Sequence, residues 1–264
     1  MKKIAFCFLI YDVINCEELW NAFFTNVDEN KYTIYIHFKY NVPLKYFEKY
    51  KINNCIPTDY ATTSLVKAQN IVIGNALQDK SNEHFIFLSN SCIPFKNFEY
   101  MYTCLDVTKS YFNLMPEESR FPRCNFLLHF VNKQFIQKAS QWCILNRKHS
   151  IFMIDRQKHL RVYRRIYASD EVFYITNLFS NNLQNELVLT HNASNDATTF
   201  TNWSSGNYKY LSNNELKNYS FITKEEIIYL LNSKCLFGRK FLVACLDSFN
   251  NETYQNLIST NVVL

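Results

Sequence analysis

Two adjacent acids, Asp170 and Glu171, follow Ser169 and precede an apolar run that begins at Val172. The run has helical spacing, so the sequence predicts that the acids open a helix. Unpaired backbone N–H groups at a helix N-terminus stabilise negative charge, and we therefore expect both carboxyls to be ionised. An ionised carboxylate can act as a general base. The alternative is purely structural, with Ser169 as the N-cap and two acids in the first turn.

A histidine, His37, lies near the end of a predicted strand at residues 32–38. The carboxyl ends of parallel strands form the edge at which open α/β sheets bind ligands. His37 is therefore a candidate binding residue, and a structural role is the alternative for a lone histidine.

The elements that position these residues are predicted from apolar periodicity. Residues 4–10 form an unbroken apolar run, which is typical of a strand buried on both faces. A helix at 17–24 and the strand at 32–38 follow, and this order opens a parallel α/β sheet. We further predict helices at 64–77, 98–105, 147–158, from 172 onward and from a capping box at Thr223 to Leu231. Strands are predicted at 84–89, 187–190 and 198–203. The polar stretch at 107–132 is predicted to be irregular.

The composition excludes several classes of protein. With 48% hydrophobic residues, the chain can bury a sizeable core and is not disordered. Three glycines exclude a Gly-rich phosphate loop, so side chains and isolated amides would have to hold any nucleotide. The net charge of +5 is a mild excess without a basic block, which argues against nucleic acid as a partner. No linker or repeat divides the chain, and we predict a single domain over residues 1–264.

The cysteines and the N-terminal run bear on the compartment. Nine cysteines without a CxxC pair disfavour a zinc site and indicate mostly reduced, buried thiols, or a few disulfides plus free thiols if the protein is exported. The first apolar run is short and lacks a small-residue cleavage site, so we interpret it as a strand and not as a signal peptide. No apolar run has transmembrane length. We therefore expect a cytoplasmic or otherwise soluble protein without a membrane anchor.

Eight blocks along the chain occur in the order of one known family. They are KIAF at 3–6 with LWNAFF at 19–24, IYIH at 34–37, SLVKAQ at 64–69, FIFLSNSCIP at 85–94, SQW at 140–142 with NRK at 146–148, SDE at 169–171, WSSG at 203–206 and CLFGRKF at 235–241. On these blocks the chain resembles the core-2/I-branching β-1,6-N-acetylglucosaminyltransferase family, which has plant and peptide-O-xylosyltransferase relatives. The blocks span nearly the whole chain.

The resemblance implies a GT-A-like α/β fold, with a mixed, mostly parallel sheet flanked by helices, and inverting transfer from a UDP-sugar. Glu171 matches the catalytic base of the family. Lys240 matches a residue that contacts the donor diphosphate, and Lys217 is similar to a second basic residue upstream. The implied partners are a UDP-sugar donor and a glycan or glycoprotein acceptor.

Further site residues are assigned on the same resemblance. Ile36 and His37 are expected to bind the donor nucleotide. Trp203 matches an aromatic residue of the acceptor region, and Trp142 of the SQW block is assigned to the acceptor as well.

The resemblance also implies that no metal is required. In many nucleotide-sugar transferases the turn after the third strand carries Asp-x-Asp, which holds a divalent metal on the diphosphate. Here that turn, residues 89–92, reads SNSC, and Asp-x-Asp occurs nowhere in the chain. Lys240, Lys217 and Arg239 are the expected substitutes, because Lys and Arg bind phosphate. The alternative for Arg239 and Lys240 is a solvated basic pair that closes a helix.

Departures from the family pattern leave the acceptor open. Tyr60 and Ala61 stand where Trp-Gly is common, and Ala139 replaces a glycine before the SQW block. We expect transfer of GlcNAc in a β-1,6 linkage. The alternatives are a UDP-xylose or other UDP-sugar donor, or a non-catalytic glycan-binding relative. A glycosidase needs two carboxyls flanking one bond, which the adjacent Asp170 and Glu171 disfavour.

Overall fold

Two β-sheets organise the computed structural model, which describes residues 2–120, 123–191, 198–202 and 216–248. The strands are β1 Lys3–Ile10, β2 Tyr32–Phe38, β3 Asn82–Ser89, β4 Ile93–Pro94, β5 Ser110–Leu114, β6 Ile144–Asn146, β7 Leu187–His191, β8 Thr199–Thr201 and β9 Phe237–Arg239. The larger sheet has the order β2-β1-β3-β6-β5-β7. β1 pairs in parallel with β2 and β3, and β5 with β7, while β6 is antiparallel to both neighbours. The predicted α/β class and the shared sheet of the first three strands are confirmed.

The α-helices of the described residues are α1 Glu17–Phe24, α2 Thr63–Ala76, α3 Phe98–Cys104, α4 Arg147–Arg156, α5 Phe173–Ser180 and α6 Lys224–Leu231. The start of α6 follows a local signal in the sequence. Before α6, the Thr223 hydroxyl accepts from the Glu226 N–H and the Glu226 carboxylate accepts from the Thr223 N–H, which confirms the predicted capping box.

The first strand is buried on both faces, as its unbroken apolar run predicts. Phe6 and Phe8 pack on one side against Trp20 of α1, with ring centroids 6.3 and 5.0 Å from that of the indole. Ala5 and Cys7 face a second apolar cluster on the other side. The Trp20 indole N–H donates to the Cys92 carbonyl at 2.9 Å, which ties α1 to the turn after β3.

A second, three-stranded sheet has the order β4-β9-β8. β9 pairs antiparallel with β4 and parallel with β8. Gly238 lies so close to Phe95 that a Cβ atom at position 238 would be 2.0 Å from the ring. The Phe241 N–H donates to the Ser91 carbonyl at 2.9 Å, so the chain after β9 docks onto the turn after β3.

Several short elements differ from the sequence expectation. The stretch 107–132, predicted to be irregular, contains β5, and no strand was predicted at β4, β6 or β9. These strands have two to five residues and are stabilised by partners distant in the chain, so local periodicity does not reveal them. The helix predicted at 147–158 ends at Arg156 and continues as the 3-10 helix Gln157–Arg165. The predicted turn at 203–206 lies outside the described residues.

None of the helices in the described part of the chain has the length and apolar composition needed to cross a bilayer. No disulfide links the cysteines of these residues, and seven of the nine cysteine side chains are buried.

The contact between Gly238 and Phe95 predicts a large difference between two glycine substitutions. Gly238→Ala forces a methyl group into the ring of Phe95, which is itself buried, and we expect a loss of about 1–3 kcal/mol of unfolding free energy. Gly74, in α2, has no heavy atom within 4 Å of a Cβ position. Gly74→Ala is the matched control and should stabilise by about 0.5–1 kcal/mol. Urea unfolding measures both, and equal stabilities would contradict this packing.

Candidate active site

A cleft of about 770 Å³ opens along the carboxyl ends of β1, β2 and β3. Ile10 of β1, His37 of β2 and Ser89 of β3 are among the residues that line it. Segments distant in sequence contribute to the lining as well, among them the 3-10 turn Ser169–Glu171 and the chain at the end of β9. The predicted binding edge of the sheet is therefore the edge that carries the cleft.

Glu171 lies on one side of the cleft and is held by an ion pair. Lys138 places its Nζ 3.1 Å from Glu171 Oε2, and the two side chains are 10% and 25% exposed, respectively. The backbone is fixed as well, because the Ala139 N–H donates to the Glu171 carbonyl at 2.8 Å. Sequence reasoning missed Lys138, whose partner is distant in the chain. Its place two residues before the SQW block was the available signal.

Asp170 corrects the expectation that both acids are ionised. The acids lie in a 3-10 turn, and α5 begins only at Phe173. Asp170 is 8% exposed, and no group of the described residues donates to its Oδ1. Burial first, and then the charge of Glu171, raise the Asp170 pKa to about 7. The Ser169 hydroxyl is also buried without a partner among these residues, so Ser169 does not cap a helix.

Arg239 and Lys240 line the same cleft as Glu171. Arg239 ends β9 and is half-buried, with its guanidinium 4.6 Å from the ring centroid of Trp142. Its Nε has no hydrogen-bond partner in the described part of the chain. Burial lowers the pKa of both cations, and the charge of Arg239 lowers that of Lys240 further. The two residues therefore do not form a solvated pair at the end of a helix.

Two other residues assigned from the sequence are placed differently. Lys217 is not part of the cleft lining, although Leu216 and Asn218 are. Its Nζ is 3.1 Å from Glu226 Oε1 and 4.3 Å from the ring centroid of Tyr219. Trp203, assigned to the acceptor, lies outside the described residues.

The nucleotide candidates of β2 have different surroundings. The His37 side chain lines the cleft, and its Nε2 accepts from the Ile56 N–H at 2.9 Å. Burial lowers the His37 pKa to about 4, so the ring is neutral at pH 7. The Ile36 side chain is fully buried in the core, and its carbonyl accepts from the Ile52 N–H at 3.0 Å. Ile36 therefore packs in the core beneath the edge of the sheet that carries the cleft.

Hydrogen bonds join the segments that follow β1, β3 and β9 beside the cleft. Asn15, after β1, donates its backbone N–H to the Asn90 carbonyl at 2.8 Å. Its side-chain amide donates to the Phe241 carbonyl at 2.9 Å, and the Asn90 amide donates back to Asn15 Oδ1 at 3.2 Å. One asparagine therefore links the turn after β3 to the chain that carries Lys240.

The turn that follows β3 is neutral. Ser89 and Asn90 line the cleft, and the Ser89 hydroxyl lies 3.1 Å from that of Ser91. Within the described residues, no three His, Cys, Asp or Glu side chains come together in a group that could hold a metal ion.

A family model described as Core-2/I-Branching enzyme matches residues 4–228. The chain belongs to the Core-2/I-Branching enzyme family. The resemblance found in the sequence blocks is thereby confirmed.

Two individual proteins similar to this family member extend the comparison. Glycosyltransferase BC10 of Oryza sativa subsp. japonica is 26% identical over 171 residues, which are 62% of this chain and 43% of the rice protein. The chain thus spans less than half the length of that relative. Among solved structures, the galactosyltransferase LgtC in complex with donor and acceptor sugar analogs aligns with a TM-score of 0.42 and 7% identity, covering 98% of this chain and 97% of the other.

The raised pKa of Asp170 predicts a pH dependence of stability. Between about pH 4 and 7 the folded chain retains a proton that the unfolded chain, with an Asp pKa near 3.9, has released. Asp170 therefore lowers the unfolding free energy as the pH rises through this window, by up to about 1.4 kcal/mol per pH unit. Asp170→Asn removes this contribution.

Urea unfolding of Asp170→Asn and of the natural sequence at several pH values measures the effect. The stability of the variant relative to the natural sequence should increase from pH 4 to 7 and level off above. Groups that do not interact with Asp170 titrate alike in both proteins and cancel in the difference. A difference independent of pH would show that Asp170 is ionised throughout.

Proposed function

We propose that this chain is an inverting glycosyltransferase that moves a sugar, with GlcNAc as the expected one, from a UDP-sugar to a hydroxyl of a glycan or glycoprotein in a β-1,6 linkage. The observation that carries the proposal is that Glu171 and the cations Arg239 and Lys240 line one cleft. Membership of the Core-2/I-Branching enzyme family and the name of the rice relative support it.

Glu171 supplies the base. The Lys138 ion pair uses Oε2, and we assign Oε1 to the acceptor hydroxyl. Oε1 takes the hydroxyl proton as the acceptor oxygen bonds to the anomeric carbon of the donor. The bond between that carbon and the diphosphate oxygen breaks, and its electron pair leaves with UDP. Attack from the face opposite UDP inverts the anomeric carbon.

Arg239 and Lys240 stabilise the leaving group. The diphosphate gains negative charge as the bond to the sugar breaks, and fixed positive charge at that place lowers the barrier. Both cations are partly withdrawn from water, which strengthens their attraction to an anion relative to a solvated pair. The unpartnered Nε of Arg239 suits a phosphate oxygen. Lys217 is a further candidate, which would have to exchange its contact with Glu226 for the diphosphate.

A metal is not required under this proposal. The turn at residues 89–92 presents neutral serine and asparagine side chains where other transferases carry Asp-x-Asp. Positive charge on the diphosphate then comes from the protein, chiefly from Arg239 and Lys240.

Substitution of Glu171 and of Lys240 separates the role of the base from that of the cations that bind the diphosphate. Glu171→Gln is isosteric and should lower turnover by ~10²–10⁴-fold with nearly unchanged affinity for UDP, because the amide keeps the shape of the side chain and the diphosphate is assigned to Arg239 and Lys240. Lys240→Ala should weaken UDP binding as well as slow transfer, because it removes charge that faces the diphosphate. Calorimetric titration with UDP and initial rates measure both effects. Full transfer by Glu171→Gln would contradict the mechanism.

A donor panel in the presence and absence of metal tests the rest of the proposal. UDP-GlcNAc, UDP-xylose, UDP-galactose and UDP-glucose are supplied in turn, with excess EDTA or added manganese. We expect the highest rate with UDP-GlcNAc, the same rate with EDTA as with manganese, and a β-linked product by NMR. Loss of nearly all turnover on chelation would contradict metal independence, and a faster second donor would reassign the sugar. No turnover of any donor would favour a non-catalytic glycan-binding role.

A further inference from the structure

Two exposed tyrosines stand beside the cleft. Tyr60 is 85% exposed and Tyr167 is 53% exposed. Their ring centroids are 6.3 Å apart and the ring planes make an angle of 74°, an edge-to-face contact. The loops that carry them are joined by a hydrogen bond from the Ala168 N–H to the Ala61 carbonyl at 2.9 Å. The pair therefore has a defined geometry, although both rings face solvent.

The backbone beside each tyrosine adopts an uncommon conformation. Ala61 has a φ of 59° and Ala168 a φ of 54°, in the left-handed region that residues other than glycine seldom occupy. Each such residue costs about 1–2 kcal/mol relative to right-handed backbone. Strain of this kind clusters at ligand sites, where it fixes the direction of neighbouring side chains. Here it occurs on both loops, next to the two exposed rings.

Of the two tyrosines, Tyr60 is the one whose ring face is available to a ligand. The Arg123 guanidinium lies 5.2 Å from the ring centroid of Tyr167. Tyr167 is thus placed between a cation and the Tyr60 ring and acts as a support. Tyr60 lines the cleft, and no cation is found over its ring among the described residues.

The loop that carries Tyr60 is joined to the turn that carries Glu171. The Ala168 N–H donates to the Ala61 carbonyl, and the Glu171 N–H donates to the Ala168 carbonyl at 3.0 Å. A transferring base must touch the acceptor hydroxyl, while the diphosphate lies against the cations. A ring on the side of Glu171 therefore meets the acceptor.

We infer that Tyr60, supported by Tyr167, forms an acceptor subsite that stacks the apolar face of a pyranose ring. This inference rests on the proposed function and adds to it the residue on which the acceptor sugar packs. One face of a pyranose presents mainly C–H groups, which pack on an aromatic ring.

A glycan array tests the inference. The protein, saturated with UDP, is applied to the array, and affinity for the tightest-bound oligosaccharide is then measured for the natural sequence and for Tyr60→Ala. We expect Tyr60→Ala to weaken binding by about tenfold, from the loss of one stacking surface. Tyr60→Trp should retain binding, since it keeps a flat aromatic surface.

Matched controls separate stacking from damage to the fold. Tyr229→Ala removes a tyrosine of α6 that is 53% exposed and does not line the cleft, and it should bind the glycan like the natural sequence. The melting temperature should be the same in all variants, because the side chains of Tyr60 and Tyr229 are exposed.

The outcomes distinguish this inference from the proposed function. If Tyr60→Ala binds the glycan as tightly as the natural sequence, or if the natural sequence binds no glycan on the array, the subsite is wrong even where UDP-sugar turnover is observed. If glycan binding depends on Tyr60 but no UDP-sugar is turned over, the proposed transfer fails while the saccharide subsite stands.

Discussion

The close approach of Gly238 to the ring of Phe95 determines where the cations of the cleft stand. The base and the cations come from distant parts of the chain, and only tertiary packing brings them together. Phe95 follows β4 directly, so a backbone that passes close over its ring must run beside the turn after β3. β9 then ends at the cleft, and Arg239 and Lys240 follow from that position. A side chain at position 238 would hold β9 away from this contact.

Around this contact two acids of the cleft lining are paired with lysines. Glu171 is paired with Lys138 and Asp59 with Lys39, while burial raises the pKa of Asp170 to about 7. A proton on Asp170 removes a negative charge that would repel a phosphate. Arg239 is withdrawn from water against the indole of Trp142. Oriented charges in a low-dielectric site need little reorganisation when a ligand arrives, which is the main electrostatic advantage of a folded catalyst.

The sequence predicts the parts of this arrangement that depend on local pattern. The strands β1, β2 and β3, the helix α1 and the capping box of α6 follow from periodicity or from neighbouring residues, and they suffice to place the binding edge. The short strands β4, β6 and β9 depend on distant partners and carry no periodic signal. The protonation of Asp170 depends on burial, which a sequence does not display, and the ion pair of Lys138 joins segments that only the sheet brings together.

Because β9 comes late in the chain, the residues of the cleft are not all synthesised until late in translation. A ribosome produces the sheet edge and Glu171 before Gly238, Arg239 and Lys240. A prematurely terminated chain that lacks β9 therefore carries Glu171 and Lys39 of the cleft lining without Arg239 and Lys240. The full positive charge of the cleft exists only when translation has passed Lys240.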